Sequence, residues 1–116
     1  MAQKHVLFTI NSAPYGSIWY TEGLRAVVGV TSGIDEHSVD VVYLGDGAYF
    51  ALKGVDRTDS AKYIGTLAGM DYKLQVERES LAARGIGEGE VAEDVQVISR
   101  ADLLGLVAKA DVTIDF

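Results

Sequence analysis

The sequence predicts a three-layer α/β fold with a mostly parallel five-stranded sheet, and three observations support this. Five short segments rich in β-branched and aromatic residues alternate with four segments whose apolar residues recur at helical spacing. The second strand segment is almost continuously apolar, as expected of a strand buried on both faces. Glycine stands at several of the junctions. Alternating strands and helices fold with right-handed crossovers, which makes the strands parallel.

The predicted elements occupy most of the chain. Strands are expected over residues 4–10, 38–44, 72–76, 95–98 and 111–116. Helices are expected over residues 17–33, 59–69, 78–84 and 99–108, and a short apolar segment over 48–52. Ser17 is expected to cap the first helix and Gly33 to end it. Ser99 and Asp102 have the spacing of a capping box at the start of the last helix.

The spacing of apolar residues also predicts which helix faces are buried. In the first helix the expected inner positions are Tyr20, Leu24, Val27, Val28 and Thr31. In the second they are Ile64, Leu67 and Ala68, and in the last they are Leu103, Leu104, Val107 and Ala108. Gly23 and Gly29 weaken the first helix, which predicts close packing against the sheet at both positions.

Composition narrows the classes of function. The chain has 116 residues, of which 48% are hydrophobic, so one domain spanning 1–116 is expected. A net charge of −7 disfavours direct binding to nucleic acid or to an anionic membrane surface. There is no cysteine, hence no disulfide, no thiolate nucleophile and no cysteine-based metal site. No apolar run is long enough to span a membrane and no signal peptide is recognised, so a cytoplasmic protein is expected.

Several sequence blocks occur in the order and spacing of a known family. They are Asn-Ser-Ala-Pro-Tyr-Gly-Ser at 11–17, Thr-Glu-Gly-Leu at 21–24, Val-Val-Tyr-Leu-Gly-Asp-Gly-Ala at 41–48 and Glu-Ser-Leu-Ala-Ala-Arg-Gly at 79–85. Together they resemble the DsrF/TusC-type chains of the DsrE/DsrF family of sulfur-relay proteins. In that family a cysteine that carries persulfide sulfur, when present, ends the strand before the 79–85 block. The matching residue here is Glu77.

The resemblance implies a DsrE-like fold and assembly into multimers such as trimers or hexamers. It also implies a role as a non-catalytic accessory subunit beside a cysteine-bearing DsrE-like partner, in tRNA thiolation or in sulfur oxidation. An alternative is a stand-alone homo-oligomer of the same fold that binds a small polar or anionic ligand. No cofactor and no metal are predicted, and enzymatic activity is not expected because the thiol position is a glutamate.

Polar residues follow the carboxyl ends of the predicted strands, where open α/β sheets bind ligands. They are Asn11, Ser12, Asp46, Glu77, Ser99 and Arg100. Glu77 would act there as a charged anchor or a general base, and Asp46 is the second, weak catalytic candidate. A simpler reading gives these residues structural roles: Asp46 in its turn, Ser99 as a helix cap, and Glu77 paired with Arg78 or a neighbouring subunit.

Aromatic residues cluster on the segments that leave the first two strands. Tyr15, Trp19 and Tyr49 are candidates for a subunit contact or a pocket wall, with burial in the core as the alternative. Tyr20 and Phe50 are expected in the core. His5 and His37 stand at strand beginnings, and no Ser-His-Asp arrangement is expected around them.

Overall fold

Five strands form one sheet in the order β4-β3-β2-β1-β5, and every neighbouring pair is parallel. The computed structural model describes residues 4–13, 19–31, 37–72 and 74–116. The strands are β1 (His5–Ile10), β2 (Ser38–Tyr43), β3 (Leu74–Glu77), β4 (Val95–Ile98) and β5 (Val112–Asp115). The helices are α1 (Trp19–Thr31), α2 (Ala61–Gly69), α3 (Arg78–Ala83) and α4 (Arg100–Lys109). The predicted α/β class with a parallel five-stranded sheet is confirmed.

Helices cover both faces of the sheet and so make three layers. On one face, Leu24 and Val27 of α1 and Leu67 of α2 pack in the main core with Phe8 and Tyr43 of the sheet. The opposite face is covered by α4, which crosses it between β4 and β5. A second, smaller cluster forms there from Leu7, Val42, Ile98 and Leu103. The connection through α4 returns the chain to the far side of β1, so β5 lies at the edge opposite β4.

Short 3-10 helices replace the apolar segment predicted over 48–52 and the loops around it. They span Gly45–Ala51, Thr58–Ser60 and Glu88–Glu90. In the first of them, a Cβ on Gly47 would lie 1.9 Å from the carbonyl oxygen of Ile10. Because that oxygen belongs to the backbone at the end of β1, glycine is required at this position for the segment to pack against the sheet.

The burial predicted for α4 and α2 is partly wrong. On α4, Leu103 is buried and Leu106 half-buried, whereas Leu104 and Val107 are 62% and 44% exposed and Ala108 is also exposed. A helix that lies alone on a sheet makes contact along a narrow stripe, and the neighbouring position Leu104 is rotated by about 100° away from it. On α2, Leu67 is buried, Ile64 half-buried and Ala68 exposed, so the inner stripe there is narrower than expected too.

The predictions for α1 are confirmed in part. Leu24, Val27 and Thr31 are buried and Val28 is half-buried. A Cβ on Gly23 would approach Ile10 to 2.9 Å, so close packing explains this glycine, but Gly29 is exposed with open space around it and that prediction is wrong. Ser17, Gly33 and the side chain of Tyr20 lie outside the described residues. Among the described helices, none is long and apolar enough to cross a membrane.

Candidate functional site

Glu77 ends β3 beside Ile98, the last residue of β4, and is directly followed by α3 with no intervening loop. The alternation of side chains along β3 puts Val76 in the main core and Glu77 on the face that α4 covers. Its residue surface is only 3% exposed. A buried carboxylate at a strand end requires compensation by hydrogen bonds or by an opposite charge.

That compensation comes from Arg100 and Ser80. The Arg100 guanidinium donates from Nε to Glu77 Oε2 at 3.0 Å and from Nη2 to Oε1 at 3.2 Å. Ser80, one turn into α3, donates its hydroxyl to Oε1 at 2.6 Å. The hydrogen bonds from Arg100 lower the pKa of Glu77 below its usual value of 4.5, although burial opposes the shift. Glu77 is therefore an ionised carboxylate whose two oxygens are already occupied.

The expected pairing of Glu77 with Arg78 is wrong. Arg78 points to the surface and bonds Glu88, with 3.2 Å between Nε and Oε2. Arg78 and Glu77 are adjacent at the start of a helix, so their side chains leave the backbone in different directions. Arg100 is the partner because α4 begins at the end of β4, the strand next to β3.

Asp46 is held by a different arginine. Arg84, at the end of α3, donates to Asp46 Oδ1 from Nη2 at 2.9 Å and from Nε at 3.3 Å. The same guanidinium donates from Nη1 to the backbone carbonyl of Ser80 at 3.1 Å. The Ser80 hydroxyl in turn accepts the backbone N–H of Gly45 at 3.0 Å. The two candidate carboxylates are thus linked through α3, and each is neutralised by its own arginine instead of facing the other as an acid and base pair.

The start of α4 is fixed to α3 as well as to its own cap. Ser99 Oγ accepts the backbone N–H of Asp102 at 3.0 Å, and Asp102 Oδ2 accepts the N–H of Ser99 at 3.2 Å, so the predicted capping box is confirmed. In addition, Glu79 Oε1 accepts the backbone N–H of Arg100 at 2.8 Å. A carboxylate at a helix N-terminus is favoured by the helix dipole. Arg100 is therefore anchored by both its backbone and its side chain.

A sequence model of the DsrE/DsrF-like family matches residues 4–116. The chain belongs to this family. A protein from Vibrio parahaemolyticus named as a TusC homolog is 32% identical over 105 residues, covering 85% of this chain and 86% of its own. The intracellular sulfur oxidation protein DsrF of Allochromatium vinosum is 31% identical over 97 residues, covering 78% and 69%.

Two solved structures have a fold similar to that of this chain. The ychN protein of E. coli superposes with a TM-score of 0.80 at 19% identity, covering 99% of this chain and 100% of its own. A protein of unknown function from Methanobacterium thermoautotrophicum superposes with a TM-score of 0.79 at 15% identity, covering 98% and 100%. At these identities the similarity establishes the DsrE-like fold alone.

Within this DsrE/DsrF-like fold, the residues predicted at the strand ends divide into two groups. Glu77, Asp46 and Arg100 belong to the network around α3. Asn11 follows β1, is exposed, and contacts the β5 side of the sheet: its side chain donates to Thr9 Oγ at 3.2 Å and its backbone N–H to the carbonyl of Phe116 at 2.7 Å. Ser12 is half-buried. Tyr15 and the side chain of Trp19 lie outside the described residues.

A cavity of about 770 Å³ lies beside this edge but away from Glu77. Its lining residues are Ala13, Tyr49, Leu52, Lys53, Gly54, Val55, Gly89 and Glu90. Tyr49 is 37% exposed and forms part of the cavity wall, which is one of the positions predicted for it. Its role in binding stays a prediction. The core position expected for Phe50 is confirmed: it is 2% exposed and stacks on Tyr43 with 5.9 Å between ring centroids.

A Ser-His-Asp arrangement does exist, contrary to expectation. His5 Nδ1 lies 2.8 Å from Ser38 Oγ, and His5 Nε2 lies 2.6 Å from Asp40 Oδ2. Gln75 donates to the other oxygen of Asp40 at 3.0 Å. The parallel register that sets His5 opposite Ser38 creates the cluster. The sequence did contain one signal for this cluster. Ser38 and Asp40 are two residues apart on a strand, so their side chains lie on the same face of the sheet.

This cluster does not have the surroundings of a nucleophilic site. An acyl-transfer site needs backbone N–H groups that are open to an oxyanion. Here the N–H of Ser38 donates to the Lys4 carbonyl at 3.0 Å, that of His5 to Asp111 at 2.8 Å, and that of Lys4 to the His37 ring at 2.9 Å. The cluster therefore ties the beginnings of β1 and β2 together. In the described part of the chain, no three histidine or acidic side chains are grouped to hold a metal ion.

Proposed function

We propose that this chain is a non-catalytic subunit of a sulfur-relay assembly, in which Glu77 stands where a relative carries persulfide on cysteine. One observation carries the proposal: Glu77 is 3% exposed, and its carboxylate accepts hydrogen bonds from both Arg100 and Ser80. A carboxylate that is buried in this way and held by a cation and a hydroxyl lacks the exposure that a nucleophile needs. Membership of the DsrE/DsrF-like family and the lack of any cysteine support the same role.

The hydrogen-bonded network around α3 gives such a subunit a surface with fixed charged groups. Glu77 holds Arg100, whose side chain is nevertheless 59% exposed, and Asp46 and Arg84 pair nearby. A persulfide or thiolate on a partner is an anion, and an oriented guanidinium is suited to stabilise one. In the proposed assembly, which we expect in the cytoplasm, the partner is a cysteine-bearing DsrE-like chain and Arg100 lies next to its sulfur.

Native mass spectrometry after gentle purification from the source cells tests this role. We expect a hetero-oligomer, a trimer or a hexamer, that contains a cysteine-bearing relative of this chain. When the assembly is loaded with labelled sulfur, the label should appear on the partner only. Arg100→Ala should slow sulfur transfer by the partner without dissociating the assembly, whereas Lys62→Ala, on the distant helix α2, should leave the rate unchanged. Recovery of this chain without any cysteine-bearing relative would contradict the proposal.

The cavity lined by Tyr49 supports a second candidate function, a homo-oligomer that binds a small ligand. Its volume of about 770 Å³ is in the range of small-molecule sites, and the side chains of Tyr49, Leu52 and Val55 give it apolar walls. A thermal-shift screen with a metabolite panel tests this candidate. Tyr49→Ala should abolish a shift that arises in the cavity, and Glu77→Ala should abolish one that arises at the strand ends. The absence of any shift across the panel would count against ligand binding at either place.

A further inference from the structure

The backbone holds the wall of the cavity beside Tyr49 in place. Leu52 and Val91 face each other as an antiparallel bridge. Next to this bridge, the backbone N–H of Lys53 donates to the carbonyl of Glu90 at 2.9 Å, and that of Leu52 donates to the carbonyl of Tyr49 at 3.4 Å. The wall is therefore formed before a ligand arrives, so little conformational entropy is lost when one binds.

The interior of the cavity is mostly apolar. Ala13, Tyr49, Leu52 and Val55 line it, and its volume of about 770 Å³ lies within the range of sites that take drug-sized molecules. A ligand that is polar over its whole surface would lose water there without gaining enough hydrogen bonds in return. The cavity therefore suits a ligand with a large apolar body.

Two residues of opposite charge, Lys53 and Glu90, also line the cavity, and both are exposed. Their backbones are hydrogen-bonded beside the bridge, and opposite charges at such facing positions commonly attract each other. Across the described ranges of the chain, however, neither side chain has a hydrogen bond or an ion pair. The cavity is thus lined by one cation and one anion whose charged groups are both open to a ligand.

These features complement a zwitterion. Its carboxylate would accept hydrogen bonds from Lys53 Nζ, its ammonium group would donate to the carboxylate of Glu90, and its apolar body would pack on Tyr49 and Leu52. We propose that the cavity binds a small zwitterion with a large apolar body, such as a free amino acid with an aromatic side chain. This inference rests on the second candidate function, ligand binding in the cavity, and gives that ligand a chemical class.

Ligands with a single charge fit this pair of residues less well. An anion would be attracted by Lys53 but repelled by Glu90 and by the net charge of −7. A cation would be attracted by Glu90 but repelled by Lys53. A zwitterion has no net charge and gains from both residues, so the arrangement selects for two opposite charges on one molecule.

Four forms of tryptophan separate the contributions of the two charges. L-tryptophan has both charges, tryptophanamide has only the ammonium group, N-acetyltryptophan has only the carboxylate, and N-acetyltryptophanamide has neither. In isothermal titration calorimetry, free tryptophan should bind most tightly, and removal of either charge should weaken binding about two- to fivefold, the range for exposed charge pairs. Equal affinities for all four compounds would overturn the zwitterion proposal.

Each charged residue should account for one of these differences in affinity. Lys53→Gln should remove the preference for tryptophan over tryptophanamide, and Glu90→Gln should remove the preference over N-acetyltryptophan. Both variants should fold normally, because the two side chains are exposed and bond nothing in the described chain. Lys109→Gln and Glu93→Gln change exposed charges elsewhere and should keep both preferences. Preferences that persist in the Lys53 and Glu90 variants would overturn the proposal.

A further pair of variants tests where the ligand binds. Tyr49→Ala should weaken binding of all four compounds at least about fivefold, because each loses the same aromatic contact. Leu104→Ala, which removes an exposed apolar side chain on α4, should leave binding unchanged. If all four bind equally and only Tyr49→Ala weakens them, the cavity binds ligands but the zwitterion proposal is wrong. If none of the four binds, ligand binding in the cavity fails together with the proposal.

Discussion

Replacing Glu77 by alanine is expected to lower the free energy of unfolding by about 2 kcal/mol. The variant loses the charge-assisted hydrogen bonds from Arg100 and the hydrogen bond from Ser80. The loss is smaller than for a fully buried ion pair, because Arg100 is 59% exposed and water can solvate it once its partner is gone. Chemical denaturation followed by circular dichroism gives the value.

A surface ion pair provides the matched control for Glu77. Glu88 pairs with Arg78 at 3.2 Å, and both side chains are about half exposed. Glu88→Ala should leave the stability within experimental error of the unchanged protein, because exposed pairs contribute little. Equal effects of Glu77→Ala and Glu88→Ala would show that the bonds to Arg100 and Ser80 do not stabilise the fold.

The contribution of Glu77 should also depend on pH in a defined direction. Its pKa is lowered in the folded state, chiefly by the hydrogen bonds from Arg100, while the unfolded chain has the usual value of 4.5. The stability that it adds is therefore fully present above pH 4.5 and is lost as the pH falls through the lower, folded pKa. The stability difference between the unchanged protein and Glu77→Gln should be constant near neutral pH and shrink below pH 4.5.

Among the glycines in the described part of the chain, replacing Gly47 by alanine is expected to have the largest effect. The new Cβ would stand 1.9 Å from the carbonyl oxygen of Ile10 and 2.7 Å from its carbon. Backbone atoms at the end of a central strand cannot move aside as a flexible side chain can, so the 3-10 segment must leave its place. We expect a loss of roughly 3 kcal/mol or more, or failure to fold.

The same substitution at Gly65 is the control for Gly47. Gly65 is exposed in α2 and has open space at its Cβ position. Alanine there should stabilise the protein by up to about 1 kcal/mol through its higher helix propensity. Thermal denaturation of the two variants should therefore shift the midpoint in opposite directions. A Gly47→Ala variant as stable as the unchanged protein would contradict the close approach of this segment to β1.

The surroundings of Glu77 show which features of the site can be predicted from the sequence and which cannot. Its position at the end of a strand follows from the local pattern of β3 and from the helix that begins at Arg78. Its partner does not, because Arg100 is brought near only by the pairing of β3 with β4 and by the start of α4. The sequence suggests Arg78, the next residue, as the partner of Glu77, but the side chains of adjacent residues at the start of a helix point in different directions.

The cluster of His5, Ser38 and Asp40 was missed for the same reason. Two of these residues share a strand, but His5 comes from the strand beside it, and only the register of β1 against β2 sets it between them. The error in the burial predicted for α4 has a different cause. Helical spacing locates an apolar stripe but not its width, and a helix that lies alone on a sheet buries fewer positions than a helix with neighbours.

The sequence by itself determined the α/β class, the succession of strands and helices, and the cap at Ser99. It also determined that position 77 has a glutamate and therefore no thiol. These features depend on side chains within one or two turns or on the residue types alone. The tertiary structure decided that Glu77 pairs with Arg100 and Asp46 with Arg84, and that Leu104 faces outward. Strand order, register and the placing of α4 set these contacts, and they arise from packing between segments far apart in the chain.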